Sequence, residues 1–110
     1  SSVFAAYVAR CHAEYAELSP NPEMWPLLVQ GLGPMWRSEP DYADQALARI
    51  KTPTTIADGA YDEIIKPEHT RHMAGVIPGA RLAILPNTSH FAMLQDPVSF
   101  NQVLMEFLRA

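Results

Sequence analysis

Two short segments of this chain each end in a residue able to hold or move a proton. They are Thr54-Thr55-Ile56-Ala57-Asp58-Gly59-Ala60-Tyr61-Asp62 and Arg81-Leu82-Ala83-Ile84-Leu85-Pro86-Asn87-Thr88-Ser89-His90. Each reads as a β-branched or aliphatic strand that runs into a polar turn. One helix-length stretch lies between them, so the strands can be parallel neighbours, with Asp62 and His90 emerging from the same carboxyl edge of the sheet. Open α/β sheets keep their active sites at that edge. A carboxylate beside an imidazole accepts the Nδ1 proton, fixes the tautomer, and stabilises the imidazolium formed when the other nitrogen takes a proton from a nucleophile. Asp58 is a rival for the acid because it also follows the strand. Its place at the strand end suits a structural turn contact better.

Other side chains that could do chemistry read more plainly. His69 and His72 stand at i and i+3 beside Glu68, but no third metal ligand is placed by the sequence, and a solvent-facing helix surface accounts for them. His12 reads as a polar-face residue in the same way. The single cysteine, Cys11, has no partner for a disulfide or a zinc site; Tyr7, Val8 and Tyr15 at helical spacing predict a buried apolar thiol. Trp25, Trp36, Met24 and Met35 suit either an apolar substrate pocket or ordinary packing. Ser89 adjoins His90, and neighbouring side chains on an extended turn point apart, so it is not a candidate nucleophile.

The elements that must position Asp62 and His90 follow from periodicity and punctuation. Phe4, Tyr7, Val8, Cys11 and Tyr15 form one stripe and predict a helix from Val3 to about Glu17. Ser19-Pro20-Asn21-Pro22-Glu23 breaks it and supplies Asn21 as a cap for a second helix through Leu27, Leu28 and Leu32, with Pro26 as an alternative start and Gly31-Leu32-Gly33-Pro34 weakening or ending it. Asp41 reads as the cap of a short helix from Tyr42 to Ile50. A strand over Thr54 to Ala57 follows, then a helix from Pro67 to about Val76 stopped by Pro78-Gly79, a strand from Arg81 to Leu85, and a last helix capped by Asp96-Pro97. Phe100, Val103, Leu104, Phe107 and Leu108 give that last helix its apolar face. The C-terminal half is thus β-α-β-α, and two parallel strands leave an unpaired edge beside Thr54 to Ala57.

Composition excludes several function classes. The chain has 110 residues, 48% of them hydrophobic, which suits one modest core. Twelve acidic against eight basic residues give a net charge of -4 without a basic run, which argues against nucleic acid or a membrane surface as partner. No apolar run approaches the roughly 18 to 20 residues that cross a bilayer. The lone cysteine and the lack of secretory features point to the cytoplasm. The chain begins with Ser1 rather than methionine, so targeting signals ahead of it could have been removed.

From about Leu47 to Leu108 the sequence resembles the C-terminal segment of an α/β-hydrolase. The resemblance rests on Ile50-Lys51-Thr52-Pro53-Thr54 before a strand, Asp58-Gly59-Ala60-Tyr61-Asp62-Glu63-Ile64-Ile65 after it, Ile77-Pro78-Gly79-Ala80 before the next strand, and Ser89-His90-Phe91 with Asp96-Pro97 ahead of the last helix. Residues 1–46 resemble, more loosely, the lid helices such proteins insert, and 47–110 the last β-α-β-α part of their core. The resemblance implies Asp62 as catalytic acid, His90 as catalytic histidine, a small-molecule substrate, hydrolysis of an ester, amide or related bond, and no metal or organic cofactor.

One departure matters. The family's nucleophile sits in a Gly-x-Ser-x-Gly elbow upstream of the acid, and none of Ser1, Ser2, Ser19, Ser38, Ser89 and Ser99 lies in such a motif. The expectation is a truncated α/β-hydrolase fold that is inactive alone. It would be a fragment of a longer hydrolase, a module that self-associates through the edge at Thr54 to Ala57, or one half of a complementing pair.

Overall fold

The computed structural model describes residues 2–110, which divide into two compact units, the first ending at Tyr42 and the second spanning Ala43–Ala110. In the first, helix α1 spans Ser2–Leu18, a single 3-10 turn Pro22–Met24 follows, and α2 runs Trp25–Ser38. Tyr15 and His12 pack on Trp25, with ring centroids 5.4 and 5.0 Å apart, His12 in a stacked arrangement. The α1 stripe is only half covered. Phe4, Tyr7, Cys11 and Tyr15 are half-buried and Val8 is exposed, so the Cys11 thiol is not enclosed as its apolar neighbours suggested. Trp36 is 67% exposed, and Met24 and Met35 are exposed as well.

Two expectations for α2 are corrected. Asn21 makes no side-chain cap; its own N–H donates to Ser19 Oγ instead (3.1 Å). The helix also passes through Gly31-Leu32-Gly33-Pro34 to Ser38. A proline inside a helix removes one backbone donor. Here the helix continues for a further turn, and Ser38 Oγ donates to the Pro34 carbonyl. What ends it is Pro40, which disfavours helical geometry at the residue before it; Glu39 is extended.

The second unit holds α3 (Asp44–Leu47), β1 (Thr55–Gly59), α4 (Pro67–Val76), β2 (Arg81–Leu85), α5 (Ala92–Gln95) and α6 (Pro97–Arg109). Helix α3 is shorter than its apolar spacing predicts. Its N-terminal flanking residue is Ala43, not Asp41. β1 starts one residue later than expected and extends through Asp58 and Gly59, which pair with Ile84 and Leu85 of β2 in a two-stranded parallel sheet. Helix α4 starts at Pro67, where the missing N–H costs no intrahelical bond, and stops before Pro78-Gly79, where Gly79 takes a left-handed φ of 72°. Helix α6 is capped as expected, Asp96 Oδ1 accepting from the Ser99 N–H (3.0 Å).

Alternation along β1 separates its two faces. Asp58 meets α4 through Thr70, whereas Thr55 and Ala57 share a groove with Phe100, Val103 and Phe107 of α6. The helices therefore cover opposite faces. The small core lies around Ile77, Leu85, Phe91, Ala92 and the buried threonines Thr70 and Thr88. The ladder is bracketed by Arg81 N–H to Thr54 O (3.0 Å) and Ala60 N–H to Leu85 O (2.9 Å). A parallel ladder uses alternate residues, so the backbone groups of Thr55 and Ala57 point away from β2. Among the described residues no helix is long and apolar enough to cross a membrane.

Candidate active site at the carboxyl edge of the sheet

The loops leaving β1 and β2 are joined before either side chain is considered. Tyr61 N–H donates to Thr88 O (2.9 Å), and Thr88 Oγ1 donates to Leu85 O (3.0 Å), closing the β2 turn over Asn87, which adopts a left-handed φ of 59°. Gly59 lets the loops meet. A Cβ there would collide with the carbonyl of Ser89 and lie 2.7 Å from that of Thr88, so only glycine leaves room for this approach.

Asp62 is fixed by backbone donors. Its Oδ1 accepts from the N–H groups of Ile64 and Ile65, both at 2.7 Å, an arrangement in which aspartate folds the following chain back onto its own carboxylate. The side chain is 2% exposed. Its other oxygen, Oδ2, lies 2.8 Å from His90 Nδ1. A carboxylate can only accept, so Nδ1 carries the proton in the neutral imidazole and Nε2 presents a lone pair. Burial pushes the Asp62 carboxyl up, but the bonds from Ile65, His90 and Ile64 oppose it, and the carboxyl is held below the ordinary aspartate value.

His90 is held from both sides of its backbone. Its N–H donates to Glu63 Oε2 (3.2 Å), and its ring meets Phe91 edge to face at 5.0 Å. The preceding residue, Ser89, is turned toward α5, its N–H and hydroxyl donating to Gln95 Oε1 at 2.7 and 3.2 Å, which removes it from the imidazole as the extended turn predicts. The His90 side chain is 33% exposed, and a cavity of about 240 Å³ opens in front of it. Ile56, Met73, Leu85, Met93 and Phe100 supply its apolar walls and Asp58, Asp62, Thr70 and His90 its polar ones.

Asp58, the rival acid, does not touch the imidazole. It accepts from the Gly59 N–H (2.8 Å) and from Thr70 Oγ1 (2.5 Å), a structural contact of the kind its position suggested. His72 pairs instead with Asp44 of α3 (2.8 Å), and both are solvent-exposed. Among the described residues no group of three or more possible ligands could hold a metal ion, so His69, His72 and Glu68 do not form a centre. Sequence reasoning missed Gln95, Glu63 and Thr70. Glu63 adjoins Asp62, which is the one signal that could have drawn attention to it.

No protein-family model matches the chain. It is 34% identical over 67 residues to Putative carbamate hydrolase RutD of Pseudomonas savastanoi pv. phaseolicola, a match covering 61% of this chain and 26% of that protein. A hydrolase of Pseudomonas aeruginosa PA01 superposes with a TM-score of 0.56 at 36% identity over 61% of this chain and 25% of its own. The thermophilic esterase of Thermogutta terrifontis does so with a TM-score of 0.60 at 28% identity, covering 66% and 26%. The chain belongs to the α/β-hydrolase superfamily. Its match spans about a quarter of the length of the curated relatives, and its two parallel strands with flanking helices are a partial α/β-hydrolase fold.

Proposed function

We propose that Asp62 and His90 are the acid and histidine of a serine-type hydrolase whose nucleophile comes from polypeptide outside these 110 residues. The observation that carries this reading is the 2.8 Å contact between Asp62 Oδ2 and His90 Nδ1 at the carboxyl edge of the sheet, with Nε2 left without a hydrogen-bond partner among the described residues. In the intact enzyme His90 Nε2 takes the proton of a serine hydroxyl as that oxygen attacks an ester, amide or related carbonyl, and returns it to the leaving group; Asp62 stays ionised and stabilises the imidazolium in between. The substrate is a small molecule, consistent with relatives that are hydrolases. By itself the chain has an orienter and a base without a group to activate.

A fluorophosphonate probe tests this. The 110-residue chain stays unlabelled, while the polypeptide extended to include a Gly-x-Ser-x-Gly elbow is labelled on that serine, and at least about 100-fold more slowly after His90→Ala. Stoichiometric labelling of a serine within the chain itself would overturn the reading.

A second reading concerns the isolated chain. The backbone groups of Thr55 and Ala57 face away from β2, and the Thr55 hydroxyl is enclosed without a partner. Beside them Leu104 is 44% exposed on the groove shared with α6. Two copies pairing these edges about a two-fold axis would form one four-stranded sheet. Sedimentation at micromolar concentration gives a dimer mass on this reading, and a monomer mass rejects it.

A further inference from the structure

Two adjacent residues hold His90 at two different points. Asp62 Oδ2 accepts from the ring Nδ1–H (2.8 Å), and Glu63 Oε2 accepts from the backbone N–H of the same histidine (3.2 Å). A bond to the ring alone fixes one atom of the imidazole, and the ring can still pivot about that contact as its loop shifts. A second hold on the main chain fixes where the side chain starts, so ring and backbone are set by one frame. That frame is itself bonded. Tyr61 N–H donates to Thr88 O (2.9 Å) and Asp62 N–H to Gly59 O (3.2 Å), while Asp62 Oδ1 accepts from Ile64 and Ile65, so the backbone of Glu63 has an anchored residue on either side. On the facing loop, Gln95 Oε1 accepts from the Ser89 N–H (2.7 Å). The amides of Ser89 and His90 are thus both taken by side chains from other segments.

We propose that Glu63 is a positioning residue for His90: by accepting the histidine's backbone N–H it keeps the ring in the one orientation that leaves Nδ1 on Asp62 and Nε2 at a constant place for proton transfer. The two neighbouring carboxylates divide the work. Asp62 is 2% exposed at its side chain and lines the cavity in front of His90, whereas Glu63 is exposed and does not line it. Glu63 therefore acts through His90 and not on a substrate. An exposed hydrogen bond competes with water and adds little to stability, so its effect belongs to the orientation of the imidazole more than to the folding equilibrium. What the position requires is an acceptor, which a glutamine carbonyl also supplies. The proposal rests on the Asp62–His90 reading and adds a residue to it.

NMR of the 110-residue chain tests it, with the His90 χ1 angle read from three-bond couplings, the Nδ1 proton resonance, and hydrogen exchange of the His90 amide. In Glu63→Ala the amide exchanges about 10-fold faster, the change expected for losing one hydrogen bond. The same variant averages χ1 over more than one rotamer and broadens the Nδ1 proton, while its urea midpoint stays near that of the parent. Glu63→Gln restores the single rotamer and the sharp Nδ1 proton. The proposal is overturned if Glu63→Ala leaves χ1 and the Nδ1 proton as in the parent, if Glu63→Gln behaves like Glu63→Ala, or if Glu63→Ala unfolds, which marks the residue as structural. A parent chain with no Nδ1 proton at His90 overturns the dyad and this proposal with it. A parent that has that proton, matched by an unchanged Glu63→Ala, overturns this proposal alone.

Discussion

Gly59 lies directly against the carbonyl of Ser89, so closely that a methyl group has no place between them. That approach brings the loop carrying Asp62 against the loop carrying His90, two residues 28 apart in the chain whose side chains meet at 2.8 Å. This juxtaposition therefore depends on the absence of a side chain at Gly59 as much as on the two side chains it brings together.

Gly59→Ala should destabilise the second unit by about 3 kcal/mol, since the obstructing atoms are backbone carbonyls that cannot swing aside. Gly75→Ala is the control. A Cβ at Gly75 meets nothing within 4 Å, and the position is inside α4, so alanine there should stabilise by roughly 0.5 to 1 kcal/mol. Urea denaturation of the two variants gives shifts of opposite sign.

Asp62→Ala removes the acceptor for three donors. Orphaned donors that are partly buried cost about 1 to 3 kcal/mol each, less where water reaches them, and Ile64 N–H is exposed; a total near 2 to 4 kcal/mol is expected. His90→Ala removes one donor from an acid that keeps two others. It should cost less than half as much, measured by the same denaturation midpoint.

The two aspartates give the stability profile opposite slopes. Asp62 is lowered from 3.8 by folding, so its contribution is present above that pH and is lost as pH falls through its folded value. Asp58 is raised from 3.8, so its contribution is present below that pH and is lost as pH rises through its folded value. Together they place a stability maximum near pH 3.8 in the pair's contribution. Asp58→Asn should flatten the decline on the alkaline side and Asp62→Asn the decline on the acid side, read as the urea midpoint against pH.

How much of this was legible in the sequence depended on punctuation. The bounds of α4, β2 and α6 were readable because Pro67, Pro78-Gly79 and Asp96-Pro97 each forbid or cap something in the backbone. Pro34 misled for the converse reason: a proline costs a helix one bond, and α2 lost that bond and continued to Ser38. Helix α5 was missed because four residues are too few to show a period, and it matters, since it brings Gln95 to Ser89. Asp62 and His90 could be placed at one sheet edge from strand spacing alone. The partner of Asp58 could not be read, because its contact with Thr70 depends on how α4 packs across the sheet, which local pattern does not encode.

The central claim is that Asp62 fixes His90 with Nδ1 protonated and Nε2 free to accept. Nitrogen-15 NMR of the imidazole at a pH where the ring is neutral measures this directly. The account predicts the Nδ1–H tautomer, with a strongly downfield Nδ1 proton that is lost in Asp62→Ala. A His90 found predominantly as the Nε2–H tautomer, with no change on removing Asp62, would contradict it.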